Sequence, residues 1–202
     1  MNNEKDKILI SACEVFFSRG FYKTPVDEIA ASLKMSKKTI YKYFPAKEDL
    51  VREVARTFIK THSSNIGAIV SKKYNAVEKL YHIFNYLGSA ILSINDKWFS
   101  DFQDHFPEIW EEIEEFRFKF MTANISKIID QGKKEGYIIN LPSIIIINIF
   151  ISSVRGIINP SFIMLNKIPI VIALESTLGV LMSGILTPKG KITLKKLKTE
   201  KV

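Results

Sequence analysis

Cysteine is nearly absent from this chain, because Cys13 is the only one among 202 residues. An intramolecular disulfide is therefore impossible. Cys13 lies among Ala12, Val15 and Phe16, and is expected to be a buried, unreactive thiol. The three histidines and the single cysteine show no close metal-ligand spacing, so we expect neither a metal site nor a bound cofactor.

Other absences narrow the class of protein. Seven prolines and nine glycines are too few for a disordered or linker-rich chain. No nucleophile–base pair and no glycine-rich phosphate loop is evident, so the sequence does not predict an enzyme. No secretory signal is visible, and we expect a cytoplasmic protein. Strand-like alternation is also missing, which predicts an all-α fold.

The formal charge of +8 is unevenly distributed along the chain. Residues 1–60 carry a net charge of +4, residues 61–187 a net charge of −1, and residues 188–202 a net charge of +5. Two basic ends and a neutral body suit a nucleic-acid-binding module joined to a part that does not touch phosphates. For the short C-terminal run, plain solubility is an equal alternative.

Apolar residues recur at helical spacing in four N-terminal segments. Gly20 is a natural end for the first helix. Thr24 and Pro25 suit the N-cap and first position of the second helix, and Pro45 ends the third. The predicted helices are residues 4–19, 24–33, 37–44 and 46–66.

The rest of the chain forms a larger helical body with a basic end. We therefore expect a three-helix DNA-binding domain in residues 1–47, joined through the fourth helix to an effector-binding and dimerisation domain in residues 48–187. Residues 188–202 are expected to be a flexible tail. The helices predicted in the body are residues 75–93, 97–105, 107–134, 142–158 and 168–186.

Residues 24–47 hold two short predicted helices joined by three or four residues, which is the arrangement of a helix-turn-helix. In this motif the second helix lies in the major groove of DNA, with its N-terminal residues at the base edges. Ile40 and Phe44 are four residues apart and are predicted to pack inward. The opposite side then carries Lys37, Lys38, Tyr41 and Lys42.

Thr24 and Ser36 stand at predicted helix starts, where main-chain N–H groups and the helix dipole favour a phosphate. They either only cap their helices or also contact a phosphate, and we favour the second interpretation. Tyr41 is expected to contact DNA, whereas for Tyr43 half-buried packing is an equal alternative. Residues 34–47 contain five lysines and no acidic residue, which predicts salt-dependent DNA binding.

Residues 8–50 contain the pattern AxxxFFxxGFYKTPVDEIA followed by SKKTIYKYFPAKEDL. They resemble the DNA-binding domain of the tetracycline-repressor (TetR) family. The resemblance implies a homodimer, a helical C-terminal domain with an effector cavity, and dimerisation through the last two helices. It also implies a contact of Lys47 with the DNA backbone. The recognition helix that it implies carries Ser36, Lys37, Lys38, Thr39, Tyr41, Lys42 and Tyr43.

The body is rich in aromatic residues. Ligand cavities are mostly apolar with a few polar groups, so these residues are candidates for an effector pocket. An aromatic stripe at helical spacing is more often ordinary core, and this remains the main alternative. Arg155 either binds an acidic effector or pairs with Glu175. The candidate pocket residues are Phe84, Trp98, Phe102, Trp110, Phe120, Phe150 and Arg155.

The last two predicted helices are apolar nearly all round. A membrane location is the alternative to burial in a dimer interface, but the first is too short and the second contains Pro169 and Glu175. Small residues at 176, 179 and 183 allow two such helices to approach closely. The candidate interface residues are Glu175, Leu178, Gly179, Met182 and Ser183.

Together these features predict a dimeric, ligand-responsive regulator of transcription. It is expected to act as a repressor that binds a palindromic operator and is released by a small, apolar effector. The alternatives are an architectural or activating DNA-binding protein without a ligand, a membrane-associated helical protein, and an enzyme. The sequence does not identify the effector or the operator.

Overall fold

The computed structural model describes residues 4–92 and 97–199, without the side chains of residues 91, 92, 97–99 and 160. This part of the chain is mostly helical, which confirms the predicted all-α class. Its helices are α1 (Glu4–Arg19), α2 (Val26–Ser32), α3 (Lys37–Tyr43), α4 (Lys47–Ser71), α5 (Ala76–Leu92), α6 (Lys97–His105), α7 (Pro107–Lys134), α8 (Ser143–Ile157), α9 (Pro160–Asn166), α10 (Ile170–Ile185) and α11 (Pro188–Thr199).

Most helix boundaries agree with the sequence signals. α6 and α7 have the predicted bounds, and α5, α8 and α10 differ from prediction by one or two residues at their ends. Gly20 and Gly136 follow α1 and α7 with φ angles of 88° and 74°. Glycine adopts this left-handed conformation without steric cost, which explains why the chain turns at both positions.

The helices form two compact units that differ from the predicted domains 1–47 and 48–187. One unit comprises Met1–His62 and Ser93–Glu115, and the other comprises Ser63–Leu92 and Phe116–Val202. The first unit includes a distant segment because Phe102, Phe106 and Ile109 are buried in the same core as the N-terminal helices. Local helical periodicity carries no information about such a return of the chain.

Aromatic rings fill the centre of the first unit. Phe21 is fully buried, with its ring centroid 5.2 Å from that of Phe16 and 4.3 Å from that of Phe102. Cys13 is half-buried beside this core, and burial, followed by the charge of Glu14, raises its pKa to about 11. Its thiol is therefore protonated at neutral pH and a weak nucleophile.

The second unit is built around aliphatic side chains of α5, α7, α8 and α10. α10 packs on α8 and on α5, and α11 packs on α5. The apolar composition of α8 and α10 extends beyond this core: Ile149 is 51% exposed and Val180 is 73% exposed. Within the described residues, the structure contains no helix with both the length and the apolar character that crossing a membrane requires.

A short helix, α9, occupies a segment that was predicted to be a connection. The side chain of Asn159 accepts a hydrogen bond from the main-chain N–H of Phe162 at 2.8 Å and caps this helix. Lys167 ends it in the left-handed conformation, with φ of 53°. An Asn-Pro pair is an N-cap followed by a favourable first helical residue, so the signal was present in the sequence.

Residues 188–199 form the helix α11, in contrast to the predicted flexible tail. Leu194 and Leu197 pack against the core of the second unit. The ammonium of Lys189 donates a hydrogen bond to the carbonyl oxygen of Glu135 at 2.8 Å and lies 4.4 Å from the ring centroid of Tyr137. The many lysines of this segment obscured the two leucines that hold it in place.

Gly132 gives a direct test of packing in the second unit. A Cβ at this position would lie 2.5 Å from Ile138 Cδ1 and 2.9 Å from Ala76 Cβ. We expect Gly132→Ala to lower the free energy of unfolding by about 1–3 kcal/mol, because overpacking exceeds the gain in helix propensity. Thermal denaturation followed by circular dichroism measures this change.

Gly67→Ala is the matched control, since a Cβ there meets nothing within 4 Å. Removing a glycine from the interior of α4 should stabilise the protein by up to about 1 kcal/mol. Equal effects of the two substitutions would contradict the described packing around Gly132.

Candidate nucleic-acid interface

Helices α2 and α3 are joined by a tight turn. The main-chain N–H of Lys34 donates to the carbonyl of Ala31 at 3.1 Å, and that of Met35 donates to the carbonyl of Ala30 at 2.9 Å. Lys34 itself adopts a φ of 54°, which is uncommon for a residue other than glycine. The turn therefore folds α3 back against α2, as a helix-turn-helix requires.

Ser36 begins α3 with a side-chain cap. Its Oγ accepts a hydrogen bond from the main-chain N–H of Thr39 at 3.1 Å and lies 2.9 Å from the hydroxyl of Thr39. Because no acidic residue occupies the first turn of α3, its positive dipole end is left uncompensated there. This end of the helix suits an anion.

The two sides of α3 differ sharply in burial. Ile40 is 1% exposed and Phe44, which follows the helix, is 3% exposed. Both lie in the core of the first unit together with Ile29, in agreement with the sequence prediction. The exposed side carries Lys37, Lys38, Tyr41 and Lys42.

One of these lysines already has a partner. The ammonium of Lys37 donates to Oδ2 of Asp27 on α2 at 2.8 Å, and both side chains are largely exposed. The hydrogen bond with Asp27 and its charge raise the pKa of Lys37. Lys37 is thus held toward α2, whereas Lys38 projects to solvent.

Tyr43 contacts α1. Its hydroxyl donates to Oε2 of Glu4 at 2.7 Å, and this hydrogen bond raises the pKa of Tyr43. The ammonium of Lys42 lies 5.6 Å from the centroid of the Tyr43 ring. Tyr43 is half-buried, as the packing alternative predicted, with its hydroxyl near the surface.

Thr24 occupies a different position from the expected one. α2 begins at Val26, and Pro25 takes the N-cap position without a side-chain cap. The prediction that Thr24 caps α2 is wrong, because its side chain is 3% exposed and its hydroxyl donates to the carbonyl of Gly20 at 2.8 Å. The side chain closes the loop before α2.

Lys47 is also engaged by this loop. Its ammonium donates to the carbonyl oxygen of Tyr22 at 2.7 Å. Burial lowers the pKa of Lys47, and the charges of Glu48 and Asp101 oppose this shift. The lysine therefore joins the start of α4 to the loop that precedes α2.

Asp101 on α6 contacts the same loop, and the sequence analysis did not identify it. Its Oδ2 accepts hydrogen bonds from the main-chain N–H groups of Phe21 at 2.6 Å and Tyr22 at 2.9 Å. These partners are 80 and 79 residues away in sequence. No local pattern marks a carboxylate that acts at such a distance.

The predicted pocket residues are divided between the two units. Phe102 and Trp110 pack in or against the core of the first unit. Phe84 and Phe150 belong to the second unit and stack with ring centroids 5.7 Å apart. The side chain of Trp98 lies outside the described residues. Phe120 is half-buried in the second unit and Arg155 is exposed there.

The predicted interface residues divide in a similar way. Leu178 and Met182 are 6% and 3% exposed and belong to the core of the second unit. The other three, Glu175, Gly179 and Ser183, lie on the exposed side of α10. Apolar residues that the sequence analysis did not select share the exposed sides of α8 and α10. They are Ile144, Ile145 and Ile149 on α8, and Ile172 and Val180 on α10.

Residues 8–54 match the family model described as bacterial regulatory proteins, tetR family. Over 180 residues the chain is 23% identical to the uncharacterized HTH-type transcriptional regulator YvaF of Bacillus subtilis (strain 168), and this match covers 89% of this chain and 94% of that protein.

Two solved structures are similar over most of their length. A transcriptional regulator from Saccharomonospora viridis, in complex with choline, has a TM-score of 0.73 at 18% identity, covering 93% of this chain and all of that one. A transcriptional regulator from Cytophaga hutchinsonii ATCC 33406 has a TM-score of 0.71 at 20% identity, covering 89% and 97%. These likenesses establish the fold.

The matching segment of the family model contains α2, the turn and α3, which is the part whose basic side is exposed. The curated relative and the solved structures share the helical architecture that continues beyond it. The chain is a helix-turn-helix transcriptional regulator of the TetR family.

Proposed function

We propose that this regulator is a dimeric, ligand-responsive repressor that binds a palindromic operator and is released by a small apolar molecule. The observation that carries the proposal is the exposed basic side of α3, held outward by buried Ile40 and Phe44. Members of the family regulate transcription and are not enzymes. As a regulator that must reach DNA, it acts in the cytoplasm.

Lys38 and Tyr41 are the side chains that reach base edges from the start of α3 in this proposal. The N-terminal half of a recognition helix lies deepest in the major groove, and a lysine there hydrogen-bonds a guanine or a phosphate. Lys42 and the capped start of the helix at Ser36 and Thr39 bind phosphates. For Thr24, any phosphate contact falls to the main chain, because its hydroxyl is bonded within the loop.

The exposed apolar sides of α8 and α10 form the dimer interface in this proposal. Ile144 is 60% exposed and Val180 is 73% exposed, and large exposed aliphatic side chains on adjacent helices mark a surface that is normally covered. Gly179 and Ser183 permit close approach of a second copy of α10. A two-fold dimer places two recognition helices about 34–36 Å apart, one turn of DNA.

The second unit holds the effector in this proposal. Thr122 Oγ1 is buried and, within the described part of the chain, accepts and donates no hydrogen bond. Thr122 precedes Ile125 and Ile129 by three and seven residues on α7, so it lies on the same buried side of the helix. An apolar effector with one hydroxyl or carbonyl oxygen would satisfy this hydroxyl. The choline complex of the similar regulator supports small-molecule binding.

Lys38→Ala tests the docking of α3. The operator duplex is first selected by the wild-type protein from a pool of randomised duplexes, and a palindromic consensus is expected. Loss of one phosphate contact should lower the affinity for this duplex and reduce the slope of log K against log salt concentration by about one. Fluorescence anisotropy at several salt concentrations gives both quantities.

Lys60→Ala removes the same charge from an exposed position on α4 and serves as the control. Its salt slope should equal that of the wild type. Equal slopes for all three proteins would mean that α3 does not meet the duplex with Lys38.

Val180→Asp tests the dimer. A carboxylate in an apolar interface is costly to desolvate, so the variant should sediment as a monomer and bind the palindromic duplex more weakly than the wild type does. Ile192→Asp places the same charge at a residue that is 60% exposed on α11, outside the two proposed faces, and should remain dimeric. A monomeric wild-type protein, or a dimeric Val180→Asp variant, would refute this interface.

Thr122→Val tests the effector site. Neutral apolar compounds with one hydroxyl or carbonyl oxygen are screened for binding by thermal shift, and a true effector must also lower operator affinity, because it prefers one conformation. The isosteric substitution should weaken binding of that compound by about tenfold through loss of one buried hydrogen bond. Operator affinity without the compound should stay unchanged. If every binding compound leaves operator affinity unaltered, induction by an apolar ligand is ruled out.

A further inference from the structure

The loop between α1 and α2 is held by a carboxylate from α6. Asp101 Oδ2 accepts the main-chain N–H groups of two successive residues, Phe21 and Tyr22, at 2.6 and 2.9 Å. Hydrogen bonds from N–H groups to a carboxylate are stronger than those between neutral groups. A single side chain of α6 thus fixes two consecutive peptide groups of the loop.

The same loop is held from α4. Lys47 donates to the carbonyl oxygen of Tyr22, so the amide and the carbonyl of one residue are bound to different helices. The ring of Tyr22 stacks on the ring of His105, with centroids 3.5 Å apart and planes at 12°. The backbone of Tyr22 is therefore the point at which α4 and α6 meet the loop.

The loop has little freedom of its own. Gly20 has a φ of 88°, the hydroxyl of Thr24 bonds back to Gly20, and the side chain of Phe21 is fully buried against Phe102. α2 begins two residues after Thr24. A displacement of Phe21 and Tyr22 is consequently passed to α2, and through the tight turn to α3.

We infer that Asp101 is a positioning residue for operator binding, which acts by fixing the loop before the helix-turn-helix to α6. The inference rests on the proposed operator binding by α3. Asp101 itself carries a negative charge and repels DNA, so its removal should favour binding on electrostatic grounds alone. A loss of affinity on its removal would therefore report positioning.

Asp101→Ala is expected to bind the selected operator duplex at least about tenfold more weakly than the wild type, through loss of two charge-assisted hydrogen bonds. Affinity for a scrambled duplex of equal length should be unchanged or slightly higher, because the phosphate-binding lysines remain. Asp101→Asn keeps an acceptor oxygen without the charge and should restore part of the specific affinity. Anisotropy measures the binding constants, and circular dichroism with thermal denaturation verifies the fold.

Asp104→Ala is the matched control, because Asp104 is an exposed acid one turn further along α6. It should bind the operator as well as the wild type or slightly better. If Asp101→Ala behaves like Asp104→Ala, or if it weakens operator and scrambled duplex equally together with a lower melting temperature, the positioning role is refuted. If the wild type itself does not prefer the selected duplex, the proposed function fails instead.

Discussion

The burial of Ile40 and Phe44 in the core of the first unit is the interaction on which the DNA-facing side of α3 depends. A helix of seven residues is too short to be stable alone, so packing must supply its stability. Once these two residues point inward, helical geometry forces Lys38, Tyr41 and Lys42 outward. Placement of the core and presentation of the basic surface are therefore the same event.

That core also depends on a segment from later in the chain. Phe102 of α6 is fully buried and packs on Phe21, directly beside the carboxylate of Asp101. The apolar contact and the two hydrogen bonds act on the same loop, one from its side chain and one from its backbone. A change in α6 would thus disturb both the packing and the polar contacts that precede α2. This arrangement gives the first unit a mechanical handle close to its DNA-binding helices.

The N-terminal helices and the two sides of α3 were predictable, because periodicity, Gly20 and the Ser36 cap are local signals. The bonds of Asp101 were not, since their partners lie 79 and 80 residues away. Along α10 the sequence also failed to separate Leu178, which is buried, from Val180, which is 73% exposed. A helix that is apolar all round carries no moment that marks its inner side. Thr24 misled for another reason: its hydroxyl had a nearer acceptor than the helix.

The ion pair between Lys37 and Asp27 bears on which lysines of α3 meet phosphates. Exposed ion pairs of this kind contribute only about 0–1 kcal/mol, so DNA competes with Asp27 for the ammonium at little cost. Opening the pair nevertheless leaves the carboxylate of Asp27 near the duplex, where it repels phosphates. Keeping the pair closed makes Lys37 and Asp27 electrically neutral and leaves Lys38 and Lys42 to bind the backbone. A base that donates a hydrogen bond to Asp27 would reverse this preference, so the pair is a point at which sequence discrimination enters.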